Sequence, residues 1–444
     1  FFKMALPPRY CYNNHMKLFK SLISCLLVRI MRKFFHNNPH IRLVAVVGSV
    51  GKTTTKSTIV DVLKHNKKVR TNRGNFNAEF SAPLEMLGID GPKNPRSITD
   101  WLSTIYRAYR SARQLHDINV IVQEFGIDHP GEMAAFGRYV HPDVLVVTAI
   151  SPEHMEFFGN LKTVAQEEFA LSSHSIVTLY NRDDINSGFI AFANSERNLS
   201  YSTEPDADYY ITAHQFNHSQ GYTCTLTHGE QTSREFIMPV VAKHQLRIAA
   251  GAAAVALEFN LDVESVITAL ENFTPVSGRM NLLRGINGSM LIDDSYNSSP
   301  LAAKSALETL YQLPAKTKIA VLGDMNELGD TTASEHRTLG TLCDPAQLSH
   351  VITVGPNAAT FLAPAAKDNG CTVTSFDKAI DAVELLQSLA RQDTVLLFKG
   401  SQGGVYLEEA IKPLLKTSKD TEKLVRQSKE WRRKKQTFFG KSLS

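Results

Sequence analysis

Residues 44–63 read VAVVGSVGKTTTKSTIVDVL, a run that few folds can accommodate. Small and branched apolar residues lead to Gly48, a short turn reaches Gly51, and Lys52 and Thr53 open a helix-like segment. An apolar strand without polar alternation belongs in a parallel sheet covered on both faces, since a solvated face would demand polar residues at every second position. A glycine-flanked turn between such a strand and a helix turns backbone N–H groups and the positive end of the helix dipole towards one spot, which suits a phosphate. Gly48, Ser49, Val50, Gly51, Lys52, Thr53 and Thr54 are therefore the expected nucleotide-binding residues. Lys52 would neutralise phosphate oxygens and Thr53 would hold Mg²⁺. The general spacing G-x-x-x-x-G-K-[ST] asks for glycine at position 46, where this chain has Val46, so the loop is a shortened form.

The pattern around the loop extends the same reading. "INVIVQEFG", "PDVLVVTAI" and "SIVTLYN" are further buried, parallel strands, separated by helical segments such as "KTVAQEEFALSS". Residues 208–241 change character: Tyr222, Cys224 and Leu226 alternate with threonines, and "REFIMPVV" follows a polar turn, which predicts a short antiparallel insertion. "HQLRIAAGAAAVALEFN" is an alanine-rich helix able to pack closely. From about Gly278 "SMLIDDSYN", "TKIAVLGDMNELG", "HVITVGPN", "CTVTSF" and "TVLLFKGSQGG" are strands ending in turns. The expected architecture is α/β: a basic helix over 1–40, a P-loop domain with a mostly parallel sheet and a small antiparallel insertion over 41–277, a Rossmann-like α/β domain over 278–416, and a basic tail over 417–444.

Composition narrows the class. With 444 residues, 43% hydrophobic and 21% charged, the chain is an ordinary globular protein, and a net charge of +4 is too small to argue for nucleic acid. Its positive charge gathers in residues 16–36 and after Leu415. The first stretch places Phe19, Leu22, Ile23, Leu26, Leu27, Ile30, Met31 and Phe34 on one helical stripe beside Lys17, Lys20, Arg29, Arg32 and Lys33. That stripe would either pack on the next domain or lie on an anionic membrane surface as a peripheral contact; its longest uncharged run is too short to span a bilayer. The tail, polar and without a core pattern, reads as a frayed or docked extension whose charge serves solvation. Five scattered cysteines with no C-x-x-C pair fit reduced thiols in a cytoplasmic protein.

Two residues at strand ends complete the chemistry readable from the residues alone. Glu124 in "VIVQEFGID" and His154 in "TAISPEHMEFFG" each follow an apolar strand, where ligands gather in open α/β sheets. A carboxylate and a neutral imidazole beside a nucleotide suit divalent cations that bridge phosphate oxygens.

These motifs in this order resemble the ATP-dependent Mur ligases. The resemblance rests on Gly48 to Thr54, the asparagine-rich "GNFNAEFSAPLEML", Glu124–Gly126, His154 to Gly159, Gly278–Arg279, Asp293 to Asn297, "GDMNELGD" with Glu335–His336, and Lys399–Ser401, spanning about residues 42–411. It implies an amide-forming ligase. ATP would phosphorylate a carboxylate, and an amine would displace phosphate from the acyl phosphate. Lys52, Glu124, His154, Glu168 and Arg279 would be catalytic. Thr53, Glu124, His154 and Glu168 would hold Mg²⁺. Arg279, Asp294 and Asn297 would meet the nucleotide, and Asn75, Asn77, His336, Lys399 and Ser401 the substrates. "LIDDSYNSSP", "GDMNELG" and "KGS" look most like the branch that adds a D-amino-acid dipeptide to a UDP-linked muramoyl peptide. The expected enzyme is monomeric and cytoplasmic.

The sequence departs from the family at four points. A lysine that relatives carbamylate as a metal ligand corresponds to Glu168, which carries its charge without carbon dioxide. The adenine-side pattern G-x-H-x-x-x-N becomes Ala242, His244 and Ile248. Arginine after K-G-S becomes Gln402. Only about forty residues precede the loop, so the separate domain that grips the UDP end in relatives is expected to be absent from this sequence. These departures leave room for a ligase of another amino acid and carboxylate, as in poly-amino-acid synthesis, or for a nucleotide-binding relative without catalysis.

Overall fold

The computed structural model describes residues 12–71, 80–95, 97–151, 155–217, 220–326 and 328–440. The chain divides into two compact units. Phe1–Thr212, Thr225–Arg234 and Leu246–Leu270 make up the first, and Ala213–Cys224, Glu235–Gln245 and Glu271–Ser444 the second.

The basic amphipathic segment is one helix, α1 (Tyr12–Asn37). Part of its stripe points inward: Ile23, Leu27, Ile30, Met31 and Phe34 are buried in the core of the first unit, while Leu22 and Leu26 are exposed, as are Arg29, Arg32 and Lys33. Packing on the domain thus takes Ile23, Leu27, Ile30, Met31 and Phe34 from the membrane-surface alternative and leaves it Leu22 and Leu26. No helix among the described residues is long and apolar enough to cross a membrane.

The apolar runs of the first unit become β1 (Arg42–Val47), β2 (Val69–Thr71), β3 (Val120–Glu124), β4 (Val144–Val147), β5 (Val177–Asn181) and β6 (Arg197–Ser202). They lie in the order β6-β5-β4-β1-β3-β2, every pairing parallel. Leu43, Ala45 and Val47 face the core that holds α1, and Val44 and Val46 are buried on the opposite face. Two covered faces explain the missing polar alternation. β1 sits between β3 and β4, with Val46 level with Glu124 and Val47 level with Val147. The turns that leave these three strands are thus brought to one edge at the point where strand order reverses. Helix α2 (Lys52–Leu63) leaves the β1 turn and buries Ile59, Val62 and Leu63.

Beyond β6 the sheet gains β7 (Tyr209–Asn217), parallel to β6, and then β8 (Gly221–His228), which pairs antiparallel with both β9 (Gln231–Thr232) and β10 (Phe236–Met238). This is the expected antiparallel insertion, and the boundary between the units falls inside β7 and β8.

In the second unit β11 (Asn281–Arg284), β12 (Met290–Asp294), β13 (Thr317–Gly323), β14 (His350–Val354), β15 (Val373–Phe376) and β16 (Thr394–Lys399) form a sheet in the order β11-β12-β16-β13-β14-β15. Only β11 is antiparallel. Ile292, Ala320, Leu322 and Leu397 face one core, and Leu291, Ile319, Val321, Leu396 and Phe398 the other. That period of two within wholly apolar strands is the signature of a Rossmann-like layered sheet.

Of the two readings of the tail, frayed or docked, the structure shows the docked one. Leu424 and Phe439 are buried in the second unit, and residues Lys429–Phe439 form a helix whose Trp431 packs edge-on against Tyr406 at 6.4 Å. The tail's few apolar residues sit on one helical face, and two of its cations, Arg426 and Lys435, are buried beside acids where the composition suggests solvation alone.

Candidate active site

The turn after β1 is built tightly. Gly48 has φ 120°, a conformation L side chains rarely adopt, and a Cβ there would collide with the Thr148 hydroxyl and lie 2.9 Å from Ala149 N. Gly51, at φ 86°, caps α2. The Thr148 hydroxyl donates to Val50 O at 2.7 Å, Ser49 N donates to Ala149 O at 2.9 Å, and Ser151 N to Ser49 Oγ at 3.1 Å, which ties the loop to the end of β4. The Lys52 ammonium folds back onto Gly48 O.

At the neighbouring strand end the Glu124 carboxylate is buried. The Thr53 hydroxyl donates to it at 3.0 Å, and the buried Lys56 ammonium lies 3.5 Å from Oε2. Thr53 and Lys56 are three residues apart on α2 and so share the face turned towards β3. Glu168 closes the helix Leu161–Glu168, is fully buried, and accepts the Gly48 N–H at 2.7 Å. A hydroxyl and carboxylates are hard oxygen donors, and beside two lysines they make a set that fits a magnesium–phosphate pair.

The second unit gathers its own cluster where β12, β16 and β13 end. Asp294 is level with Lys399, whose ammonium pairs with Asp294 Oδ2 at 2.8 Å and donates to Asn297 O at 2.6 Å. Asp294 Oδ1 accepts from Met280 N at 3.2 Å. The exposed Arg279 guanidinium lies over the Tyr296 ring at 4.4 Å.

Asp293 is wholly buried and accepts the Ser295 hydroxyl at 2.5 Å. Burial, helped by the nearby Glu408 and Asp294 charges and opposed by the Ser295 bonds, pushes its carboxyl up to about 6. A carboxyl raised on folding holds its proton in the native chain while the unfolded one has lost it. Between about 3.9, the unfolded value, and about 6, stability therefore falls as pH rises, and it is flat above that window. Asp293→Asn should abolish the fall. Urea midpoints of both proteins at about pH 4.5 and about pH 6.5 check it: the wild type should lose ground to D293N on going up.

The structure brings together Gly48 to Thr54, Glu124 and Glu168 in one unit, and Arg279, Asp294, Asn297 and Lys399 in the other. Asn75, Asn77 and His154 lie outside the described residues. Two expected substrate residues are engaged elsewhere. His336 is fully buried, its Nε2 accepting from Met325 N at 3.0 Å and its Nδ1 facing Thr332 O at 2.7 Å, so both ring nitrogens serve the fold. Ser401 is buried and accepts from Asn326 N at 2.9 Å. Sequence reading missed Lys56, whose signal was its position one turn after Lys52, and it missed the acids Glu408 and Glu409 under the tail. Among the described residues Cys25, Cys224, Cys343 and Cys371 form no disulfide, and burial raises the Cys224 and Cys343 thiols to about 12.

Comparison with known proteins follows the same division. Residues 46–256 match the family model of the Mur ligase middle domain, and residues 278–402 match that of the Mur ligase glutamate ligase domain. The chain is 28% identical over 385 residues to the UDP-N-acetylmuramoyl-tripeptide--D-alanyl-D-alanine ligase of Bacillus subtilis, covering 85% of this chain and 76% of that protein. Among solved structures it resembles MurF from Acinetobacter baumannii, with a TM-score of 0.70 at 23% identity over 88% of this chain and 80% of that one. It also resembles the MurF ligase of Thermotoga maritima in complex with ADP, with a TM-score of 0.66 at 22% identity over 90% of this chain and 84% of that one. With both domain models matched in order along one chain, this protein belongs to the Mur ligase family.

Proposed function

We propose that this chain is an ATP-dependent ligase that joins D-alanyl-D-alanine to UDP-N-acetylmuramoyl-tripeptide in peptidoglycan precursor synthesis. One observation carries the reading furthest: Thr53 holds the buried Glu124 carboxylate at the mouth of a glycine-flanked loop, with Lys52 and Lys56 on the same helix. Such a site neutralises a polyphosphate and leaves its terminal group open to attack.

In this mechanism the loop amides and the start of α2 bind the β- and γ-phosphates, and Lys52 offsets the charge that develops on the transferred group. Thr53, Glu124, Glu168 and His154 would hold Mg²⁺, which supplies further positive charge to the phosphate oxygens. The substrate carboxylate attacks the γ-phosphorus and ADP leaves. The amine then attacks the acyl carbon, and collapse of the tetrahedral adduct expels phosphate and leaves an amide. Arg279, Asp294 and Asn297 would meet the nucleotide, and Lys399 would hold Asp294 in place. An enzyme consuming ATP in this way works in the cytoplasm.

The test is phosphate release from ATP with UDP-N-acetylmuramoyl-tripeptide and D-alanyl-D-alanine, each alone and both together, with product mass. Turnover only with both, giving the pentapeptide mass, supports the reading. Gln402, exposed, stands where the family resemblance implies arginine, so the second reading concerns the amine. Silence with this pair but turnover with another amine and carboxylate would replace the substrates and keep the chemistry. ATP binding without phosphate release across a broad screen would instead indicate a non-catalytic relative.

A further inference from the structure

The match to the family's C-terminal domain stops at residue 402, yet the tail beyond it reaches back to the loop that follows β12. Arg426, buried, donates from Nη2 to Ser295 O at 2.7 Å and from Nη1 to Tyr296 O at 3.0 Å. Two further bonds go to Glu408, at 2.8 Å from Nε and 2.7 Å from Nη2. Glu408 is fully buried and also receives the Lys435 ammonium at 3.2 Å.

Ser295 and Tyr296 lie between Asp294 and Asn297, and Tyr296 carries the ring under Arg279. The next tail residue inward, Val425, abuts Gly278: a Cβ on Gly278 would lie 2.7 Å from Val425 Cγ1 and 2.9 Å from Tyr296 N. Gly278 O in turn accepts from Tyr296 N at 3.1 Å. Two non-glycine residues at this junction, Met280 (φ 51°) and Arg426 (φ 56°), adopt the left-handed conformation. That conformation is uncommon for long side chains and persists where surrounding bonds over-determine it. A planar fork makes these four bonds from three fixed, separated nitrogens, whereas an ammonium has three donors on a single nitrogen.

We propose that Arg426 is a positioning residue for nucleotide use: it clamps the Ser295–Tyr296 backbone and so fixes Asp294, Asn297 and the Tyr296 platform of Arg279. This rests on the proposed function, in which those residues meet ATP. Because the clamp acts on loop geometry, its loss should appear in the KM for ATP and leave the KM values of the other two substrates unchanged. A misplacement of this sort costs about ten- to a hundredfold.

The experiment compares the full chain with Arg426→Met, Arg426→Lys and Lys435→Met, measuring KM for each substrate, kcat and ATP affinity by calorimetry. Lys435 shares Glu408 with Arg426 but touches neither carbonyl, so K435M reports what weakening the buried cluster does alone. The expected result is a rise in KM for ATP of about tenfold or more in R426M, an intermediate rise in R426K, and wild-type KM values in K435M. Should R426M fail to fold, R426K carries the test, since lysine keeps the charge facing Glu408 and gives up the second carbonyl. Wild-type KM for ATP in R426K and R426M, or an equal rise in K435M, overturns the proposal. Wild-type protein that binds no ATP overturns the function reading instead, which calorimetry on the unmutated chain shows separately.

Discussion

Lys52→Ala should lower ATP-dependent amide formation by about a hundred- to a thousandfold, the loss typical when one preorganised charge-stabilising group is taken from a transferring phosphoryl group. Its side chain is half-buried at the first position of α2, bent over the loop onto Gly48 O. Removing it strips a cation from the loop while Lys56 stays committed to Glu124. Alanine is the best helix former, so α2 and the β1 packing should survive. Phosphate release with both substrates gives the rate, and thermal unfolding gives the control. A K52A protein that folds normally and turns over at the wild-type rate would show that the phosphates bind elsewhere.

The parts of this site legible in the sequence are those fixed by neighbours along the chain. β1, the Gly48–Gly51 turn and α2 follow from apolar runs and glycines within twenty residues, and the end of β3 marks Glu124 in the same way. Which strand lies beside β1 is a matter of topology. The Thr53–Glu124–Lys56 contact across α2 and β3 is therefore written only in the folded chain. Glu168 shows the same limit from another side. Its position on the helix after β4 was readable, but its bond to the Gly48 N–H joins residues 120 positions apart. His336 shows a different limit: beside Glu335 it reads as part of a functional pair, and only the folded chain shows both its nitrogens meeting backbone groups. In α1 the stripe was plain, but which of its residues protein covers was not: Ile23 and Leu27 are buried, Leu22 and Leu26 exposed. The tail was the least legible element, because a basic, polar composition cannot announce that two of its cations are buried against acids.

Those acids carry the second large effect. Glu408→Ala should destabilise the second unit by about 3–5 kcal/mol, the cost of leaving buried charges without their partner. Glu408 is fully buried between Arg426, whose side chain is 5% exposed, and Lys435, 1% exposed. Alanine would leave the Arg426 guanidinium its two carbonyl partners but no counter-charge. Lys435 would keep only Glu409, which also serves Lys412. The exposed pair Lys68–Asp117, with side chains 63% and 87% exposed, offers the contrast. Breaking it should cost less than about 1 kcal/mol, since water solvates each partner as well as the other did. Urea unfolding of both variants measures the difference. The double variant Glu408→Met with Arg426→Met should lose less than the two single changes summed, by about 0.5–3 kcal/mol, because the pair is removed together and neither of its charges is orphaned. Additive losses would mean that the carboxylate and guanidinium do not feel each other, and that the tail is held by Trp431, Leu424 and Phe439 alone.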